Sequence, residues 1–373
     1  MSRRRTAPEP LVLALALALL VGCGGEPGTE LDEQPSAPDL AFAVAPDCPQ
    51  TRQGTGAVWL DDPALLSLIE RPLYCMNGSG RLQGTFVSAI EPDGWQPAQR
   101  GDLRFVYPLG DPHQHEVQIY HALTGMAARY RGVAGAPAPI HVTLSADASF
   151  TLSRYDQPDR LRIALQGVVP QMVPGQILHH EYGHHLILRH GPLDDVINEA
   201  FADYLAADFS GEPRILALER LALPASVTQD AAALEVARRY LERSVDNQRV
   251  YPADVVTQEQ LCQILAQAAA VFPQGSPLVP TQKLADCDSA SKQELSRPEP
   301  HRTGMIASGA LWSLRGQIGP GAVAALLFHT VSSEHQLSLE SLCPALGRAD
   351  LALTGGHDAQ AIEAVCTARG LPR

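Results

Sequence analysis

The sequence predicts an α+β protein in which short strands come first and the C-terminal half is mostly helical. Three observations carry this. Short β-like runs broken by Gly and Pro, such as Arg81 to Ile90 and Leu103 to Tyr107, fill residues 48–108. From His113 to Tyr130 the apolar residues recur at helical spacing, and two strand-like runs follow at Ile140 to Leu144 and Leu161 to Leu165. Beyond residue 213 the periodicity is almost wholly helical. The order is β-like runs, a helix, two strands, two adjacent helices and then a helical C-terminal half, an α+β layout. With 373 residues the chain is long enough for one large domain or two modest ones. Its 45% hydrophobic and 18% charged residues exclude a disordered chain and a multi-span membrane protein. A net charge of −13 argues against a nucleic-acid partner, because phosphate binding needs a basic footprint.

The first element is an address. Arg3, Arg4 and Arg5 precede an unbroken apolar run from Leu11 to Val21, long enough for a signal peptide and too short to cross a bilayer. The run ends in Leu20-Val21-Gly22-Cys23, which resembles the lipobox of bacterial lipoproteins. That resemblance implies cleavage after residue 22, lipidation of Cys23, and a protein exported to the bacterial envelope and held on its membrane. Residues 23–47 are rich in Pro, Glu, Gly and Ala without a period and read as a flexible tether. The expected organisation is a leader at 1–22, the tether at 23–47, a β-rich segment at 48–110 and the main domain at 111–373.

The cysteines fit this compartment. There are seven, and lipidating Cys23 leaves six at 48, 75, 262, 287, 343 and 366, none in a tight metal-like spacing. Three disulfides follow in an oxidising compartment. Fifteen pairings are open, and pairing of sequence neighbours (48–75, 262–287, 343–366) is the one expected.

Pro174 opens a predicted helix running to His190, with Gly191-Pro192 as its stop. Asp194 or Asp195 caps the next, which runs to about Asp208 before Gly211. The exception to the helical C-terminal half is a Pro-rich stretch from Phe272 to Arg302, read as a loop.

The chemistry concentrates in the first of these helices. It contains His180-Glu181-Tyr182-Gly183-His184, an HExxH pattern. Positions four apart stack on one helical face, so two imidazoles can converge on one Zn²⁺. Glu181 lies about 100° around the helix. It borders the metal without ligating it and can take a proton from a water there. A catalytic zinc needs a third protein ligand and an open position. The next helix reads Asn198-Glu199-Ala200-Phe201-Ala202-Asp203-Tyr204, with Glu199 and Asp203 on one face. Glu199 suits the third ligand, and Asp203 can accept the outer N–H of a ligating His. His179, His185 and His190 are expected to cap or cover the helix, and Tyr182 and Tyr204 to be core aromatics.

HEYGH followed by NEAFADYLA resembles the gluzincin zinc metallopeptidases, which carry HExxH and a downstream ExxxD on a second helix. The 14-residue gap between His184 and Glu199 is similar to that of small families in the clan. The resemblance implies a zincin-like catalytic domain, with a small sheet packed on the HExxH helix. It also implies one catalytic zinc on His180, His184 and Glu199, Glu181 as catalytic base, and a peptide or protein substrate. Gluzincins often supply a downstream His or Tyr to stabilise the oxyanion. His301, in the stretch His301-Arg302-Thr303-Gly304-Met305-Ile306-Ala307-Ser308-Gly309-Ala310-Leu311-Trp312, is the residue so implied, delivered from the end of the Pro-rich loop. Two rivals stand beside this reading. One is a non-catalytic envelope lipoprotein that keeps the fold for binding or metal capture. The other is a zinc hydrolase acting on something other than peptides.

Overall fold

Gly54 and Gly56 lie within the first strand, and Pro72 lies within the second. β1 (Arg52–Trp59) pairs antiparallel with β2 (Leu68–Met76) and parallel with β4 (Arg104–Phe105), giving the order β2-β1-β4. These features come from a computed structural model, which describes residues 48, 51–59, 68–108, 110–145, 153–156, 159–164, 175–216, 225–272 and 281–373. The leader, Cys23, the tether and Pro174 lie outside the described residues. All described residues fall within one compact unit, Leu40–Arg373.

The second sheet has the order β3-β5-β7-β6. β3 (Val87–Pro92), β5 (Ile140–Ser145) and β7 (Arg160–Ala164) run parallel, and β6 (Arg154–Asp156) adds antiparallel at the edge. α1 (His113–Ala134) crosses from the first strands to β5 and runs one turn past the predicted end at Tyr130, with Gly135 as its C-cap. Its Val117, Ile119, Tyr120, Leu123, Met126 and Tyr130 are buried in the main core. That helical stripe is what places the α1 face against the strands.

α2 (Gly175–Leu188) and α3 (Asp195–Ser210) follow, the second capped by Asp194 accepting from the Val196 N–H and closed by Gly211 in the left-handed region, φ 71°. α9 (Pro300–Ile318) lies against α3, and α10 (Pro320–Ser333), α11 (Leu339–Thr354) and α12 (Ala359–Ala368) complete the main body. Between α3 and α9 the chain builds a satellite. It comprises α4 (Ala225–Thr228), α5 (Ala231–Leu241), α6 (Gln258–Val271), α7 (Thr281–Ser289) and α8 (Lys292–Leu295). A small ladder of β8 (Arg214–Leu216) and β9 (Arg243–Ser244) stands at its base. The satellite has its own apolar cluster of Val227, Ala233, Ala237, Leu241, Ala268 and Phe272.

The fold is thus mixed α+β, the class that the order of strands and helices in the sequence predicts. Cys48–Cys75, Cys262–Cys287 and Cys343–Cys366 are disulfides, the sequence-neighbour pairing. The Pro-rich stretch is a correction: most of its described residues belong not to a loop but to α7, α8 and the first turn of α9, joined by short connections. Pro300 takes the first helical position, where a missing N–H costs nothing, so the residue that argued for a loop opens a helix.

Candidate metal centre and active site

His180 and His184 stand four residues apart on α2, and their Nε2 atoms face one another at 3.1 Å. α3 sets Glu199 against them, with Oε2 3.1 Å from His180 Nε2 and Oε1 3.7 Å from His184 Nε2. The close approach depends on Gly183, where a Cβ would sit 2.9 Å from Ala202 Cα. Ligands on a tetrahedral zinc with bonds of about 2.0–2.1 Å lie about 3.3–3.4 Å from one another. The Nε2–Nε2 separation and the two carboxylate distances, one to each Glu199 oxygen, bracket that value, so the residues present fit a single zinc ion. They are also the only group of three or more metal-ligating side chains that converge in this way among the described residues.

The outer nitrogens are held as well. His180 Nδ1 lies 2.7 Å from Asp203 Oδ1, as the helical spacing anticipated, and His184 Nδ1 lies 2.9 Å from Asn198 Oδ1. With each Nδ1 turned outward to an acceptor, each Nε2 faces the centre of the cluster, where a neutral ring would present its lone pair to a metal. Arg243 on β9 closes on Asp203 at 3.2 Å, so a single carboxylate serves two cations.

Glu181 is 8% exposed and lies between the cluster, whose His180, Glu199 and His301 act on its charge, and the edge strand β6. Its Oε2 accepts from the backbone N–H of Tyr155 on β6 at 2.8 Å. His301 sits in the first turn of α9, one residue after Pro300, and not at the end of a loop as its sequence context suggested. Its Nε2 lies 3.2 Å from Glu199 Oε2 and its Nδ1 3.1 Å from Glu299 Oε1. Its ring centroid is 6.4 Å from that of His180. At 40% side-chain exposure, against 5–15% for His180, His184 and Glu199, it forms the solvent side of the cluster. Gly304 on α9 lets this helix close on α3, since a Cβ there would meet Val196 O at 2.9 Å.

Electrostatics divide the group. Burial opposes charge on His180, but Asp203 and Glu199 outweigh it and raise its pKa to about 10. Burial lowers His184 to about 4, with Glu199 opposing and His180 adding to the fall. Burial would raise Glu199, yet His301, His184 and His180 hold it well below the carboxylate range. Glu181 is lifted to about 7, chiefly by burial. The protein alone therefore keeps one proton among three donors, and a metal cation could replace it.

Four participants were not read from the sequence. Asn198 stood in plain view beside Glu199 but had no periodic signature of its own. Glu299 serves as the α9 N-cap, accepting from the Arg302 N–H at 2.7 Å, and nothing local marks its second bond to His301. Arg243 arrives from a distant strand, and Tyr155 contributes only its backbone. Of the other histidines, His179 and His185 are buried in the core and do not cap the helix. His179 packs edge-on to Phe209, and the His185 Nε2–H donates to Ala138 O at 3.0 Å. His190, beyond the end of α2, pairs with Ser332 at 3.0 Å. Tyr182 and Tyr204 are fully buried core aromatics.

No protein-family profile matches the sequence, and no curated protein does. Among solved structures, the crystal structure of an M1 zinc metallopeptidase from Deinococcus radiodurans aligns at 13% identity with a TM-score of 0.34. The alignment covers 86% of this chain and 53% of that one, so the chain spans about half that protein's length. A likeness that distant fixes neither family nor activity.

Proposed function

We propose that this chain is a zinc-dependent metallopeptidase of gluzincin type, exported and anchored to a bacterial envelope membrane through lipid on Cys23. The observation that carries the reading is the convergence of His180, His184 and Glu199 on one point, with Glu181 bordering it. A zinc ion on those three side chains would supply a Lewis acid that acidifies water and polarises a carbonyl. Asp203 and Asn198 hold the two imidazoles in the tautomer that leaves Nε2 free. Glu181, with a pKa lifted to about 7, is matched to taking the proton of the attacking water and passing it to the leaving amine. Tyr155 occupies one of its oxygens, so the other does this work. His301, oriented by Glu299, donates to the developing oxyanion from the solvent side. The lipid anchor rests on the Leu20-Val21-Gly22-Cys23 sequence alone.

Metal analysis of the purified protein and cleavage of a quenched-fluorescent peptide library by wild type and Glu181→Gln test the reading. The expected result is one zinc in both and turnover in wild type only. Full activity of Glu181→Gln overturns the mechanism, and zinc without hydrolysis of any peptide favours a metal-capturing lipoprotein. Cys23→Ser is expected to release the protein from membranes; unchanged fractionation and no acyl label on Cys23 in the wild type remove the anchor.

A further inference from the structure

α2 presents a second pair at four-residue spacing. His180 and His184 face α3, whereas Glu181 and His185 face the edge strand β6. The contacts of this second face form a chain. The His185 ring packs edge-on against the Tyr155 ring, with centroids 5.7 Å apart at 60°. His185 is fully buried and is fixed from behind by its bond to Ala138 O, in the segment leading into β5. The hydroxyl oxygen of Tyr155 accepts from the Asp159 N–H at 3.3 Å, and Asp159 Oδ1 lies 3.4 Å from His185 Nδ1. The backbone N–H of the same Tyr155 donates to Glu181 Oε2.

The geometry of β6 shows why that amide is available. In an antiparallel ladder alternate residues turn their N–H and C=O groups away from the partner strand. Tyr155 is the central of the three β6 residues paired with β7, opposite Leu161, and its N–H goes outward to Glu181. An amide at an open edge ordinarily meets water. Here it holds a carboxylate, and the aromatic contact with His185 ties that amide to the helix bearing the carboxylate.

We propose that His185 is a positioning residue for Glu181: by packing on Tyr155 it keeps the edge amide of β6 against one oxygen of that carboxylate and leaves the other free for the reacting water. This rests on the reading of Glu181 as the base. HExxHH would then be two interleaved pairs, one for the metal and one for the base.

Backbone amide exchange at Tyr155, measured by NMR on the purified zinc-containing protein, tests the geometry without requiring hydrolysis. Wild type is expected to show a protected Tyr155 amide despite its edge position. Glu181→Ala is expected to speed its exchange by about 10-fold or more, and so are His185→Ala and Tyr155→Leu, which remove the ring contact but keep the amide. In turnover, His185→Ala and Tyr155→Leu are each expected to lower kcat by about 10–100-fold, the loss of a hydrogen bond to a charged group, with zinc content and KM unchanged. The double variant is expected to be no worse than the worse single, because both act through one bond. Unchanged exchange in Glu181→Ala, in folded His185→Ala or in Tyr155→Leu overturns the proposal, as does a kcat loss matched by loss of zinc. Should His185→Ala fail to fold, Tyr155→Leu carries the same test, since Tyr155 is only half-buried. If wild type hydrolyses no peptide, the peptidase reading fails while the exchange data still decide the positioning.

Discussion

At the scale of single residues, the site is a balance of protons. With its pKa raised to about 10, His180 is cationic at pH 8 in the protein alone, whereas His184, lowered to about 4, is neutral and Glu199 is ionised. Zinc takes a neutral imidazole, so its uptake at pH 8 should release about one proton, from His180, and the release should fade as pH rises through that pKa. Titration calorimetry in buffers of different ionisation enthalpy measures it; zero release at pH 8 contradicts a charged His180. The outer partners differ in what they leave behind. Asn198→Ala removes one neutral acceptor, and zinc affinity is expected to fall by about 10–100-fold. Asp203→Ala should cost more, because it also strips Arg243 of its ion pair beside His180. Equal losses in the two variants would mean that Arg243 plays no part. His301→Ala should keep zinc and lower kcat by about 10²–10³-fold with little change in KM, the usual loss of one oxyanion donor.

At the scale of elements, the site exists because three helices approach more closely than side chains ordinarily allow. α3 is gripped from two sides by helices that offer it a glycine: Gly183 of α2 against Ala202 and Gly304 of α9 against Val196 O. The obstacle in each case is backbone, which cannot rotate aside. Gly183→Ala is therefore expected to push α2 from α3, destabilising the protein by about 1–3 kcal/mol and weakening zinc binding, because His180 and Glu199 sit on the two separated helices. Thermal melts and zinc titration check this; unchanged affinity would mean that the helices accommodate the methyl by sliding. This close packing also explains what was legible in advance. His180 with His184, and Glu199 with Asp203, stand at helical spacing on two neighbouring helices, so local periodicity was enough to bring these four side chains together. Tyr155 and Glu299 reach the site through a strand edge and a helix cap, contacts with no period, and the sequence was silent on both. β1 and β2 fall in the segment read as β-rich, but neither was singled out, because Gly54, Gly56 and Pro72 are of the types that elsewhere mark turns.

At the scale of the whole molecule, the apolar interior divides. α2, α3 and α9 contribute to the main cluster, while α4 to α7 close a separate one stapled by Cys262–Cys287. The two bodies meet at the start of α9, where Thr303 Oγ1 donates to Val256 O and Arg302 donates to Tyr240 O, next to His301, and at β9, where Arg243 reaches Asp203. A metal on His180, His184 and Glu199 bridges α2 and α3 only, so its stabilisation should fall on the main body. A ligand at about 1,000 times its Kd adds about 4 kcal/mol, which for a body of this size raises Tm by about 10 °C. Chelation is therefore expected to lower the main calorimetric transition by about that much and readdition of zinc to restore it. His180→Ala should start from the lower value and respond to neither treatment. The double variant Cys262→Ser with Cys287→Ser should loosen the satellite yet keep the full zinc-dependent shift, because none of the three ligands lies on it. A main transition indifferent to chelation in the wild type would mean that the triad holds no metal, whatever its spacing, and a shift lost in the cysteine variant would mean that the satellite is part of the frame that keeps α3 against α2.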